Sequence, residues 1–249
     1  MSGNSGLSAQ IRSELVKIRS VRSLTILPVV MTVLVPAMAL FVGVTGSLDP
    51  DDTVFGGALT GGILGLAVAG IWGALVVTGE YSSGTIEPVL TVTPLRGRVL
   101  AAKAVVVGVA AILLAIPACA AAFGIGLVTL DGHVTGDPVP ALLGIALAYG
   151  AVGVLGVACG TVLRSSAGAV AVVLGVLILP ELIGPLLGSL QPWITGAAPS
   201  AVVVKLSQSA DAAPEVMGSW GGWVSLMILV SYTAVVAVAA RAVFVARDA

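Results

Sequence analysis

Long apolar runs alternate with short polar stretches along the chain. Six runs reach the roughly 20 residues that a helix needs to cross a bilayer core at 1.5 Å per residue. They lie at about 24–46, 56–79, 101–130, 139–163, 167–190 and 221–245. The pattern predicts an all-α polytopic membrane protein with six transmembrane helices and short loops. The third run is long enough to tilt, and Pro117 marks a kink in it. The first contains Pro28 and Pro36, which lipid tolerates where neighbours satisfy the freed carbonyls. Ahead of it, Leu7, Ile11, Leu15 and Ile18 recur at helical spacing, with Arg12, Lys17 and Arg19 on other faces. That is the pattern of an amphipathic helix lying on a membrane surface. The expected organisation is an interfacial helix over 1–23 and a six-span domain over 24–249. The opening polar stretch is too long for a secretory signal, and no small-residue cleavage site follows it.

Composition sharpens this picture. Only 9% of the 249 residues are charged and 58% are hydrophobic, whereas a soluble domain carries about 25% charged residues. The solvent for such a surface is lipid. Arg12, Lys17, Arg19, Arg22, Arg96, Arg98, Lys103, Arg164, Arg241 and Arg247 all fall on one side of a six-span chain. The other side has Lys205 alone against Asp49, Asp51, Asp52, Asp131, Asp137, Asp211 and Glu215. The basic side is expected to be cytoplasmic, with both termini inside, and Trp193, Trp220 and Trp223 to sit at the outer interface. A net charge of -1 with no basic face argues against a nucleic-acid partner. Cys119 and Cys159 fall near opposite faces of the membrane, which argues against a disulfide, and they read as small core residues. The Ala, Val and Gly excess suits a GC-rich bacterial genome.

Small residues recur every four positions in the second run, at Gly57, Gly61, Gly65, Ala69 and Gly73, and again at Gly156 and Gly160 in the fourth. This spacing lets helix backbones approach closely. Close packing inside one bundle explains it most simply; a subunit interface or a sliding surface is the alternative.

The connection after the second run reads GEYSSGTIEPVLTVTPLRGRVLAAK, residues 79–103. Gly84 is expected to break the preceding helix and Thr85 to cap a short one starting at Ile86. Glu87 suits that helix's N-terminal dipole, and Pro94 ends the segment. Arg96, Arg98 and Lys103 return the chain to an anionic leaflet. The pattern of Glu80, Gly84, Thr85, Pro94, Arg96 and Lys103 resembles the cytoplasmic loop of type-2 ATP-binding-cassette exporter permeases. The resemblance extends over the whole chain, and 179–203 looks like that family's re-entrant outer hairpin. It implies a coupling helix, with Ile86, Glu87 and Leu90 among its residues, docked into a separate ATPase subunit. Pro88 departs from the family pattern and shifts or distorts the start of that helix. The resemblance further implies two ATPase copies carrying ATP and Mg, a second permease protomer (identical or similar), and a bacterial plasma membrane.

The chain has no phosphate-binding G-x-x-x-x-G-K-[ST] loop, so it is not expected to hydrolyse ATP or to hold a cofactor. No catalytic constellation is evident. His133, with Asp131 and Asp137, reads as part of a solvated outer loop rather than a metal site. Glu181 is the one acid inside an apolar run. An intramembrane charge costs about 2.5–3.5 kcal/mol at the bilayer centre and is a candidate for the substrate path. Flanking Pro180 and Pro185 point to a broken helix there, and an outer-interface position is the other reading. The expected function is the membrane subunit of an exporter of amphiphilic or hydrophobic cargo such as a drug, antibiotic, peptide or lipid. The alternative is a secondary transporter or channel without an ATPase.

Overall fold

The computed structural model describes residues 3–84 and 96–247. Among them the chain is helical, with no strand. The helices are α1 (Gly3–Ser20), α2 (Arg22–Thr45), α3 (Val54–Ala58), α4 (Gly62–Ser82), α5 (Arg96–Thr129), α6 (Ala141–Leu163), α7 (Ser166–Ile183), α8 (Gln191–Gly196), α9 (Pro199–Leu206), α10 (Pro214–Met217) and α11 (Gly222–Arg247). Two 3-10 turns, Gly184–Leu186 and Gly188–Leu190, join α7 to α8. Six segments are long and apolar enough to cross a membrane: Arg22–Thr45, Val54–Ser82, Gly97–Thr129, Ala141–Leu163, Ser166–Leu186 and Pro214–Ala246.

The second segment is not one helix. Leu59, Thr60 and Gly61 form a turn between α3 and α4, where glycines on both sides weaken helix continuity. The Tyr149 hydroxyl of α6 donates to the Gly62 carbonyl at this break, at 2.8 Å. A similar repair serves α2. Pro28 cannot donate to the carbonyl of Leu24 four residues back. The indole of Trp72, on α4, donates to that carbonyl instead, at 3.1 Å in a buried setting.

Spans α4 and α6 are the most enclosed and form the centre; α2, α7 and α11 are the least. The glycine spacing explains the central contact. A Cβ on Gly73 would overlap the Gly153 carbonyl, and one on Gly156 would overlap the Gly70 carbonyl. A Cβ on Gly160 would lie 2.8 Å from the Ala74 carbonyl oxygen. Gly65 faces the Tyr149 hydroxyl, whereas Gly61 packs on Met38 and Gly57 on Leu48. All six glycines singled out by spacing therefore meet other parts of the same bundle: Gly73, Gly156 and Gly160 meet backbone, and Gly57, Gly61 and Gly65 chiefly side chains.

The two ends differ in charge. At one, Asp52 accepts from the Thr53 and Ala210 amides at 2.7 and 3.1 Å, and Gln208 and Asp137 exchange two hydrogen bonds. Nearby, Lys205 of α9 donates to the carbonyls of Met217 and Trp220 at 2.7 and 2.9 Å and lies over the Trp220 ring. Its partners are carbonyls, the Ser225 hydroxyl and a ring face, none of them an anion, so burial lowers its pKa. The other end gathers α1, the end of α4, the start of α5 and the turn between α6 and α7. It carries Arg12, Lys17, Arg98, Lys103, Arg164 and Arg241 and the two helix ends that the α4–α5 connection joins. Cys119 and Cys159 are both buried free thiols.

Candidate functional site

Helix α1 turns a face of Glu14, Lys17 and Ile18 toward the bundle, three and four residues apart as a helical face requires. Leu15, from the predicted apolar stripe, is instead exposed, as a lipid-facing residue would be. Opposite this face stand Glu80, in the last turn of α4, and Lys103, in the third turn of α5. The four side chains close into a ring. Lys103 Nζ lies 2.7 Å from Glu14 Oε2 and 2.6 Å from Glu80 Oε1. Lys17 Nζ lies 2.6 Å from the same Glu80 Oε1 and 3.4 Å from Glu14 Oε1.

The ring is charge-balanced and largely dry. The Lys103, Glu14 and Glu80 side chains are 2%, 7% and 8% exposed, and only Lys17 reaches solvent. Burial alone would lower the Lys17 pKa. The hydrogen bond to Glu80 and the negative charges of Glu14 and Glu80 outweigh that, and the ammonium is held above its ordinary value. Both ammoniums share Glu80 Oε1, so Glu80 Oε2 is buried with no hydrogen-bond partner among the described residues.

The ring ties three elements at the base of the α4–α5 connection. Glu80 and Lys103 are the two ends of the loop motif recognised in the sequence, and they touch. Gly84 follows the end of α4 with φ of +68°, the left-handed conformation that stops a helix. Among the described residues no atom lies within 4 Å of where its Cβ would be, so the demand for glycine is conformational. Arg164 stacks over Tyr81 at 5.1 Å, and Ser166 donates to Thr78 at 2.8 Å, joining the α6–α7 turn to the same end. Arg96 opens α5. Thr85, Ile86, Glu87, Leu90 and Pro94 lie outside the described residues.

Glu181 occupies the last turn of α7 and is exposed. Its neighbours Pro180 and Ile183 line an apolar groove of about 800 Å³ between α6, α7, α8 and α11, with Leu155, Val176 and Tyr232. The Tyr232 hydroxyl has no hydrogen-bond partner among the described residues. No group of three or more His, Cys, Asp or Glu residues gathers as metal ligands among the described residues.

Sequence reasoning missed Glu14, and the signal was there. It is the lone acid in an otherwise basic N-terminal segment, three residues before Lys17. Such a residue either pairs locally or pays for its charge among cations.

Residues 10–180 match the family model described as ABC-2 family transporter protein. The chain belongs to the ABC-2 transporter family. A comparison with curated proteins found no match. The matched span runs from α1 to α7 and contains the whole charged ring and the α4–α5 connection. An ABC-2 protein of this kind is a multi-pass membrane permease subunit, and the family implies association with an ATPase subunit. The long apolar outer faces of α2, α7 and α11 fit that membrane setting, with Phe41, Leu182 and Met227 among their exposed residues.

Proposed function

We propose that the chain is the permease subunit of an ATP-driven exporter in a bacterial plasma membrane, with both termini and the basic end cytoplasmic. The observation that carries this reading is the buried ring of Glu14, Lys17, Glu80 and Lys103, which joins the end of α4 to the start of α5 and to α1. Force applied to a solvated linker dissipates in its backbone. Force applied to a connection whose two ends are ion-paired to each other and to α1 moves three elements together. In this account Gly84, Thr85, Ile86, Glu87, Leu90, Pro94 and Arg96 form the element that docks on the ATPase, and Glu80 and Lys103 pass its motion to α4 and α5. Two ATPase subunits carry ATP and Mg, and a second permease protomer, identical or similar, completes the translocation path.

The cargo is amphiphilic or hydrophobic: a drug, antibiotic, peptide or lipid. The groove beside Glu181 supports this, because its lining is apolar apart from the Tyr232 hydroxyl. An ion or a sugar would need several polar groups at one depth. Glu181 stands beside the groove as the acid that selects cationic amphiphiles.

The test is ATP-dependent movement of a fluorescent cationic amphiphile in proteoliposomes holding the permease and its ATPase. Gly84→Ala is expected to insert normally yet lose most cargo-stimulated hydrolysis, because it strains the left-handed position by about 1–2 kcal/mol. Wild-type stimulation in this variant would remove the connection from the mechanism. Transport driven by an ion gradient without ATP would overturn the exporter reading.

A further inference from the structure

A second cavity, of about 400 Å³, opens between α1, the start of α2 and the end of α4. Unlike the groove by Glu181, it has two chemically distinct parts. Val21, Leu24, Leu75 and Val76 make an apolar wall. Glu14, Lys17 and Glu80 make a charged one. Glu80 is more than nine-tenths buried, and its Oε2 lacks a partner among the described residues. An acceptor left unmade in so dry a place is costly. Glu80 lines the cavity, and the carboxylate torsion of a glutamate is soft, so the carboxylate can turn to meet a donor there. Lys17 spends two of its three N–H groups on Glu14 and Glu80 and is a third exposed. It can offer the remaining one to an acceptor.

We infer that this cavity holds the headgroup of a membrane aminophospholipid, its primary ammonium donating to Glu80 Oε2 and its phosphate accepting from Lys17. Three observations select this occupant. The ring already balances two acids with two lysines, so a zwitterion enters without upsetting it, whereas a purely cationic amine adds an unmatched charge. The apolar wall continues from the charged floor and takes the first part of an acyl chain. Exposed Leu15, Val16 and Val21 put α1 against lipid, so the cavity opens where such lipids lie. The lipid would complete the ring's hydrogen bonding and wedge α1 against α4. This inference requires a membrane around the chain but no ATPase, and it stands or falls separately from the exporter reading.

The discriminating chemistry is the N–H donor. Native mass spectrometry of the purified full chain in detergent would compare phosphatidylethanolamine with its N-methyl, N,N-dimethyl and N,N,N-trimethyl forms, all with the same acyl chains. The first three keep at least one N–H; the trimethyl form, a phosphatidylcholine, keeps none. Retention is expected to hold through the dimethyl lipid and then fall about tenfold, the loss of one charge-assisted hydrogen bond. Gly79 lines the cavity, and among the described residues no atom lies within 4 Å of where its Cβ would be. Gly79→Leu keeps all four ring residues and should occupy the cavity in place of the headgroup, abolishing the step. Equal retention of all four lipids by the wild type would overturn the inference, as would an unchanged step in Gly79→Leu. Displacement by free phosphoethanolamine at comparable concentration would overturn the assignment to a lipid.

Discussion

Lys103→Met isolates the contribution of the charged ring. Methionine keeps the length and the apolar stem of lysine but removes the ammonium that holds Glu14 at 2.7 Å and Glu80 at 2.6 Å. Two carboxylates with side chains under a tenth exposed then share Lys17, which sits 3.4 Å from one of them and is itself a third exposed. Removing one partner from a buried ion cluster typically costs about 3–5 kcal/mol, because the remaining charge cannot regain water. Against a native stability of about 5–15 kcal/mol that is a large fraction. The double variant Lys103→Met with Glu14→Gln removes one positive and one negative charge together. It leaves the Lys17–Glu80 pair intact, so about 1–3 kcal/mol should return as coupling energy. The assay is reversible unfolding of the chain in mixed micelles by added SDS, followed by tryptophan fluorescence. A label on a cysteine introduced in α1 would report release of that helix. A single variant within about 0.5 kcal/mol of wild type, or a double variant no better than the single, would refute the view that the ring locks α1 to α4 and α5.

Three other outcomes follow from the geometry. Trp72→Phe keeps the aromatic bulk but leaves the Leu24 carbonyl without the indole donor that replaces the Pro28 amide; SDS unfolding should show a loss of about 1–3 kcal/mol. Restoring the backbone donor with Pro28→Ala should recover most of that loss in the double variant. Gly73→Ala drives a methyl into the Gly153 carbonyl of α6 and should cost at least about 1–3 kcal/mol, because backbone cannot swing aside as a side chain can. Lys17 carries a raised pKa, so its contribution is fully present below the ordinary lysine value and is lost as pH rises through the raised one. The stability gap between wild type and Lys17→Met should therefore stay constant from neutral pH to about 9 and close only above about 10.4.

The membrane architecture was legible because lipid imposes length and apolarity on each span, and both are properties of a local window. The glycine spacing was legible for the same reason: one face of one helix carries it. What the sequence hid were the joints between distant residues. Nothing near Pro28 announces that Trp72 serves the carbonyl it frees. The glycines around Thr60 permit a break in the second span, but nothing there says that Tyr149 repairs it. At the site, Glu80, Gly84 and Lys103 stood out through the loop motif, but the charges that complete the ring came from α1. Hydrophobic periodicity assigns a helix face by its apolar residues. It therefore chose Leu7, Ile11, Leu15 and Ile18; Ile18 does pack on the bundle, but Leu15 is exposed, and the charged contacts of Glu14 and Lys17 beside Ile18 went unread. Glu181 shows the opposite limit. An acid in an apolar run draws attention wherever it sits, and here it lies exposed at the end of α7, beside the groove.

The most direct test of the central claim is recovery of the tagged chain from its native membrane in mild detergent, with mass spectrometry and an ATPase assay on the eluate. The account predicts a stoichiometric nucleotide-binding subunit, active in ATP hydrolysis, and its loss when Gly84 or Arg96 is replaced. An intact chain recovered alone after crosslinking, with no hydrolysis of ATP, would contradict it.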